Sequence, residues 1–370
     1  MIKSILKYFS ALSIILAIMS TSCEKPTPEP DIKPATPYLI KVPKGFPTNF
    51  KIPSDNPMTV EGINLGRHLY YDSRLSGKAD EGKPQTCATC HLQQFAFENG
   101  TGKGIGTEPG AETHHVMLPH INLLWNPGTF GWNGGTPSIE ADVLGTILNP
   151  NEFASTYEKV EKAIRNIDIY PPMFEAAFGS KDVTVDRIAK AIAQFVRTQI
   201  SSDSKFDKRL RGEVNFTPSE NRGLVLFTTE EGADCFHCHG GFGNPLFTTH
   251  LFYNNGKDTV FTDPMDRFQI TNDPMDHGAY KATTLRNIEV QGPYMHDGRF
   301  ATLEEVIEFY SHGLKQSPYI NPLMHHINDG GIQLTPTEKQ NLLDFIKTLR
   351  DDDFMSNPDF SKPDKFPDEK

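Results

Sequence analysis

Cys235-Phe236-His237-Cys238-His239 reads C-x-x-C-H, and Cys87-Ala88-Thr89-Cys90-His91 carries the same pattern upstream. The spacing suits covalent attachment of c-type haem. Two thiols add across the two vinyl groups of the porphyrin, and the adjacent imidazole becomes the proximal iron ligand. Four of the five cysteines in the chain sit in these two motifs. A zinc site and a redox dithiol are the alternatives. Zinc asks for a closed set of four Cys/His ligands, and neither motif has a partner pair nearby. A thioredoxin-like dithiol belongs in a βαβ pattern, which this sequence lacks. Inside the second motif, His237 reads as a spacer rather than a ligand.

Outward from the motifs, helical signals dominate. Val60–Tyr71 has apolar spacing for a short helix, and Ile139–Leu148 is another. Ser155 reads as the N-cap of a helix reaching about Ile167. Thr184–Thr198 carries Val185, Ile188, Ala189, Ile192, Phe195 and Val196, a stripe at helical spacing that belongs to a core. Thr217-Pro218-Ser219-Glu220 and Thr335-Pro336-Thr337-Glu338 each combine a cap, a proline at the first helical position and an acid in the first turn. They open helices to about Phe227 and Leu349, and Thr302 caps Leu303–Ser311. Phe95 to Pro137 is rich in Gly, Asn and Pro, and a loop that long is usually functional. No strand pattern of useful length occurs, so the class is mainly α. Ser-Ser-Asp-Ser-Lys after the 184–198 helix places a domain boundary near Ser201–Arg211.

The 370 residues suffice for two domains, and 29 Gly with 28 Pro imply much loop. Lys3 and Lys7 precede an apolar run, Tyr8 to Met19, too short to span a bilayer comfortably. Ser20-Thr21-Ser22-Cys23 then resembles a bacterial lipobox, with Met19-Ser20 where the pattern usually has leucine. Cleavage before Cys23 would leave a lipid-bearing cysteine. It would also account for the one thiol left over from the haem motifs, in a compartment where free thiols are unusual. An ordinary signal peptide is the alternative, and either puts the protein outside the cytoplasm. Glu24 to Pro37 reads as an extended Pro-rich tether. The formal net charge is −11, near −13 once residues 1–22 are removed. That excludes a nucleic-acid binder and suits a basic partner, or simply solubility.

In ordered pieces from about Leu65 to Arg350 the chain resembles the bacterial di-haem cytochrome c peroxidase and MauG family. The pieces are Leu65-Gly66-Arg67-His68-Leu69-Tyr70-Tyr71-Asp72, both haem motifs, Phe130-Gly131-Trp132-Asn133-Gly134, Asn149-Pro150-Asn151-Glu152-Phe153, Phe206-Asp207 with Leu210-Arg211-Gly212, Thr284-Leu285-Arg286-Asn287-Ile288 and Gly292-Pro293-Tyr294-Met295-His296-Asp297-Gly298. The resemblance implies two cytochrome c-like domains, each wrapped around one covalently bound haem. With the N-terminal reading it divides the chain into a signal peptide over 1–22, a tether over 23–45, a peroxidatic domain over 46–200, an electron-transfer domain over 201–360 and a tail over 361–370.

On the same resemblance His91 is proximal ligand of the reactive haem and His239 that of the electron-transfer haem. Trp132 matches the tryptophan between the haems, although Asn133 and Gly135 replace the acid and arginine that usually follow it. Glu152 matches the distal glutamate, where one carboxylate can take a proton from peroxide and return it to the leaving oxygen. Fourteen residues after His296, where the family's peroxidases place a ligand methionine, stands Tyr310. A tyrosine there resembles MauG, and a phenolate favours higher oxidation states of iron than a thioether does. Tyr310 also lies on one helical face with Leu303, Val306 and Ile307, as a core residue would. Met295 and Met324 are the fallback ligands. His114, His115 and His120 are candidate sixth ligands of the first haem; without one, that haem is open to peroxide. A calcium ion between the domains would use Gln291 and Pro293, with Val116 where the family has asparagine.

The function implied is an exported, lipid-anchored peroxidase on the periplasmic side of a bacterial membrane. It would reduce hydrogen peroxide with electrons from a small cytochrome c or cupredoxin; a homodimer is compatible. The rivals are MauG-like oxidation of a partner protein's side chains and a non-enzymatic electron carrier.

Overall fold

The two Thr-Pro signals act as their chemistry dictates. The Thr217 hydroxyl accepts from the Glu220 N–H while the Glu220 carboxylate accepts from the Thr217 N–H. Thr335 and Glu338 repeat the exchange. Each box pairs two backbone donors that a helix start leaves free, and the proline between them gives up an N–H that had no partner.

The computed structural model describes residues 33–78 and 85–366. The expected signal sequence, Cys23 and the first part of the tether lie outside the described residues. The helices are α1 (Val60–Tyr70), α2 (Cys87–Cys90), α3 (Ile139–Leu148), α4 (Tyr157–Arg165), α5 (Tyr170–Phe178), α6 (Val185–Arg197), α7 (Lys205–Leu210), α8 (Pro218–Phe227), α9 (Phe236–His239), α10 (Phe268–Thr271), α11 (Leu303–His312), α12 (Pro336–Lys347) and α13 (Asp352–Ser356). Among the described residues the sheets are two antiparallel pairs, β1 (Lys103–Ile105) with β2 (Glu112–Val116) and β3 (Phe252–Tyr253) with β4 (Tyr280–Lys281). The fold is mainly α, as expected.

Three local expectations are corrected. The cap of α4 is Thr156, whose hydroxyl accepts from the Lys159 N–H; Ser155 is buried one residue earlier. The Ser-Ser-Asp-Ser stretch does end α6 but also opens α7, through a capping box between Ser204 and Asp207. Part of the tether is packed: Thr36 donates to the Glu61 carboxylate from its N–H (2.7 Å) and its hydroxyl (2.8 Å). Ile40 and Val42 lean on a small core of Phe46, Leu124, Trp125 and Leu246.

Two larger cores repeat one plan. In the first, α1 crosses α6 at Gly66; in the second, α8 crosses α12 at Gly223. A Cβ on Gly66 would lie 1.9 Å from the Ala191 carbonyl oxygen, and one on Gly223 1.9 Å from that of Asn341. Only glycine permits such close backbone approach. In each pair one helix precedes the C-x-x-C-H turn and the other follows it far along the chain, so each half encloses its motif between two packed helices. The first core draws on residues from Leu65 to Val196 and the second on residues from Phe206 to Leu349. The chain then returns, and Phe354 and Phe360 enter the first core.

Gly223→Ala forces α8 off α12 and should cost about 1–3 kcal/mol. Gly145→Ala, in α3 with nothing within 4 Å of the new Cβ, should be neutral or gain up to about 1 kcal/mol. Thermal midpoints of the two variants should therefore move apart; equal midpoints would mean the α8–α12 crossing is not close.

Candidate functional site

Each C-x-x-C-H motif forms one helical turn with its histidine at the end. Cys87 and Cys90, free thiols, line a cavity of about 790 Å³ with His91. Cys235, Cys238 and His239 line another of about 1520 Å³. Both volumes include the open mouths. His91 Nδ1 lies 2.8 Å from the Phe97 carbonyl oxygen, and His239 Nδ1 lies 3.0 Å from that of Thr283. A carbonyl only accepts, so Nδ1 carries the proton in both rings and Nε2 keeps the lone pair that binds metal. Burial lowers each imidazole to about 4, so both rings are neutral, the ligand form. Burial also raises the thiols, Cys87 and Cys238 to about 12. Among the described residues neither cysteine pair joins a cluster of three or more metal-ligating side chains, so no closed zinc set is assembled. Two thiols and one oriented imidazole on the wall of a large, mostly apolar cavity fit haem c at both places.

The first cavity has an acidic wall. The Asn149-Pro150-Asn151 turn after α3 brings Glu152 into it, and Asn149 Nδ2 donates to Glu152 Oε1 at 2.8 Å. Asp142 of α3 lines the same cavity. Burial, reinforced by the charge of Glu152, raises its carboxyl to about 7. Two expected sixth ligands are not there. His114 and His115 do not line this cavity and instead bond Asp263 of the other half. His120 does line it, but its ring stacks on His91 at 3.7 Å between centroids, with Nδ1 3.2 Å from the Tyr70 hydroxyl. His120 therefore packs against the His91 ring and does not face it across the cavity.

The second cavity is lined by Tyr310, Met295 and Met324 together. Asn255 Nδ2 donates to the Tyr310 hydroxyl oxygen at 2.9 Å and reaches Met295 Sδ at 3.8 Å. Burial raises the Tyr310 hydroxyl well above its ordinary range, against the Asn255 bond, which lowers it. The Trp132 indole lines this same cavity, while Phe130, two residues earlier, lines the first. Trp132 Nε1 donates to the Val116 carbonyl at 2.7 Å, which fixes the ring. At the turn where arginine is missing, Arg267 donates to the Asn133 carbonyl at 2.9 Å. His237 faces Asp234 at 2.5 Å and does not line the cavity.

Asp142, Asn149, Asn255 and Glu98 were not singled out from sequence. Glu98 is 1% exposed, with Oε2 accepting from the Gly100 N–H and Oε1 without a protein partner. Burial raises it to about 8. It lies close enough to the Tyr294 hydroxyl to push that group up as well. Val116 offers no side-chain oxygen, and its carbonyl is taken by Trp132.

A family model described as di-haem cytochrome c peroxidase matches residues 60–215. The cytochrome c551 peroxidase of Nitrosomonas europaea is 32% identical over 316 residues, 83% of this chain and 84% of that protein. The methylamine utilization protein MauG of Methylorubrum extorquens is 28% identical over 306 residues, 82% of each. The crystal structure of a MauG-like protein associated with microbial copper homeostasis superimposes with a TM-score of 0.79 at 34% identity. The match covers 88% of this chain and 99% of that one.

Asp142 gives a pH signature. With its folded pKa raised from 3.8 to about 7, the folded chain binds the proton more tightly than the unfolded one. Below about pH 4 both forms are protonated and no penalty exists. Between about 4 and 7 the unfolded chain ionises first and stability falls; above about 7 the loss is constant. Asp142→Asn removes the titration, so its thermal midpoint should match wild type near pH 4 and exceed it increasingly up to pH 7. Parallel midpoints from pH 4 to 8 would show that the carboxyl is not desolvated.

Proposed function

Because this chain belongs to the di-haem cytochrome c peroxidase family, an oxidoreductase family whose members carry two haem groups, we propose that it reduces hydrogen peroxide in the cavity of Cys87, Cys90 and His91. Electrons come from a small exported cytochrome or cupredoxin and enter through the half that holds Cys235, Cys238 and His239. The observation that carries this reading is Glu152, a carboxylate set in the first cavity's wall and held there by Asn149.

When bound, the haem of the first half supplies the iron and the electrons that break the O–O bond. The rest is proton handling by the chain. Conversion of one peroxide to two waters consumes two electrons and two protons. Glu152 takes the proton from one peroxide oxygen and returns it to the departing one, as general base and then general acid. Asp142, protonated below about pH 7, is a second proton donor on the same wall. Trp132 and Phe130 stand on the two cavity walls two residues apart, and the indole serves as the aromatic bridge for electrons.

A second reading rests on Tyr310. Its place in the second cavity, with an amide donor on its hydroxyl oxygen, supports ligation by a phenolate and MauG-like oxidation of a partner protein's side chains. Met295 and Met324 on the same wall support the ordinary peroxidase. A calcium ion near Gln291 and Pro293 finds support in Glu98, a buried carboxyl with one unpartnered oxygen that lies close to Tyr294, the residue after Pro293. No helix among the described residues is long and apolar enough to cross a membrane. Lipid on Cys23 would supply the anchor, on the periplasmic side.

Glu152→Gln should lower peroxide turnover by about 10²–10⁴-fold, with both haems still attached and the KM for the reduced donor unchanged. Turnover within about twofold of wild type would remove Glu152 from the chemistry. In Tyr310→Met the second haem should change its ferric spectrum and gain potential. An unchanged spectrum and potential would assign the sixth position to Met295 or Met324 instead.

A further inference from the structure

His114 and His115 are left without a role by the two cavities. They are consecutive residues of β2, yet both ring nitrogens converge on one carboxylate. His114 Nε2 lies 2.8 Å from Asp263 Oδ1 and His115 Nε2 lies 2.6 Å from Oδ2. The three donor atoms lie within 4.8 Å of one another. Two further donors fix the carboxylate: the Tyr280 hydroxyl bonds Oδ2 at 2.6 Å and the Met265 N–H bonds Oδ1 at 2.8 Å. His296 Nε2 stands 3.7 Å from Oδ2. His115 and Asp263 are largely enclosed, with side chains 10% and 18% exposed, while His114 faces outward at 41%.

We propose that His114, His115 and Asp263 bind a divalent first-row transition-metal ion, Cu²⁺ or Zn²⁺, at a site separate from both haems. Two imidazoles and one carboxylate form a borderline donor set that suits copper and zinc; calcium and magnesium take oxygen ligands. Ligands about 2.0–2.2 Å from such an ion stand about 2.8–3.4 Å from each other. The two histidine–carboxylate separations already lie near that range, and the donor set as a whole, within 4.8 Å, closes on an ion by side-chain movement of about an ångström. Tyr280 and the Met265 amide supply the outer hydrogen bonds that hold a ligating carboxylate. His114, on the outside, gives the ion a way in. The ion would tie β2 to the Asp263 loop, two segments far apart in the chain. It would also sit near Trp132, since the His115 ring lies 5.2 Å from His296 and His296 lies 6.3 Å from Trp132. A second cluster, Glu230, His237 and His325, has a mostly exposed carboxylate and no bond to Tyr280, and it serves as the control.

The test uses the intact two-haem protein, treated with chelator and titrated with zinc chloride in a calorimeter, because zinc is spectroscopically silent beside haem. We expect one zinc per chain. The Glu230→Ala/His325→Ala variant should bind it as wild type does. His114→Ala and His115→Ala should weaken it by about tenfold or more, and Tyr280→Phe, which keeps every ligand, by about tenfold. Bound Cu²⁺ should show an electron paramagnetic resonance spectrum with nitrogen ligation that disappears in His115→Ala. The exposed His114→Ala keeps the test readable should His115→Ala fold poorly. Three results would overturn the proposal: no zinc taken up, binding lost in the Glu230/His325 control, or zinc bound equally well by both histidine variants. The last would leave the cluster as an ion-pair network that only ties down the Asp263 loop.

Discussion

Each half of the molecule depends on one hydrogen bond from an imidazole to a backbone carbonyl. Without it the ring can rotate or exchange tautomers, and Nε2 no longer faces the cavity. In the first half that carbonyl belongs to Phe97, whose backbone is left-handed at φ +62°. Such a conformation costs a non-glycine residue about 1–3 kcal/mol and persists only when its surroundings impose it. Here the Phe97 ring is wedged against Phe354 and Phe360, at 5.5 and 6.2 Å between centroids. The last described segment of the chain therefore sets the aim of His91. In the second half the carbonyl is that of Thr283, a few residues before Arg286. The Arg286 guanidinium is fully buried and makes a two-pronged bond to Asp207 at 2.8 and 2.7 Å. Removing one partner of such a pair strands a buried charge, at a cost of about 3–5 kcal/mol.

The halves share a scaffold and differ in what lines it. Both cross two helices at a glycine, and both present two thiols and one imidazole. The first cavity then adds Glu152 and Asp142; the second adds Tyr310, Met295 and Asn255. Burial, with the charge of Glu152 second, raises the Asp142 carboxyl, so this wall keeps a proton up to about pH 7. That suits a place where oxygen must be protonated. An amide that reaches both Tyr310 and Met295 suits a place that holds a ligand and exchanges electrons. Met295 is itself left-handed at φ +71°, so the second cavity also carries strain at the residue beside its candidate ligand.

The legible parts were those written in short-range chemistry. The C-x-x-C-H turns, the Thr-Pro boxes of α8 and α12 and the stripe of α6 are local patterns, and each folds as read. The α5 helix was invisible because it starts at Tyr170-Pro171-Pro172 with no capping side chain on Ile169. Asp142 in sequence is an ordinary acid in the first turn of a helix, favoured there by the macrodipole; only the cavity wall makes it a proton store. Asn255 and Glu98 carry no motif, and their meaning comes from burial beside residues far along the chain. The histidine pair lines neither cavity. Chain distance ties it to the first haem motif, while its partner Asp263 lies 148 residues beyond His115 in the other half.

The connection between halves is not a linker in the usual sense. Ser201 is fully buried at the crossing and is held from both sides. Asn122, of the first half, exchanges two bonds with it, donating to its carbonyl at 3.1 Å and accepting from its N–H at 2.9 Å. Asn287, of the second half, and Asp351, just after α12, bond its hydroxyl at 3.2 and 2.9 Å. The same Asp351 oxygen accepts from the N–H groups of Ser202 and Asp203. A buried network of this kind is stable only while every member is satisfied. Separating the halves would break the bonds at Ser201 in one step and strand Asn122, while Asn287 and Asp351 would keep only their bonds within their own half. The two halves therefore hold a fixed relation through polar bonds, and Trp132 sits where that relation matters. Its backbone comes from the first half, its ring lines the second cavity, and its carbonyl accepts from the Lys281 N–H at 2.8 Å. The proposed path for electrons through Trp132 tolerates little movement. The buried crossing at Ser201 supplies the rigidity that a flexible hinge between two independent domains would lack.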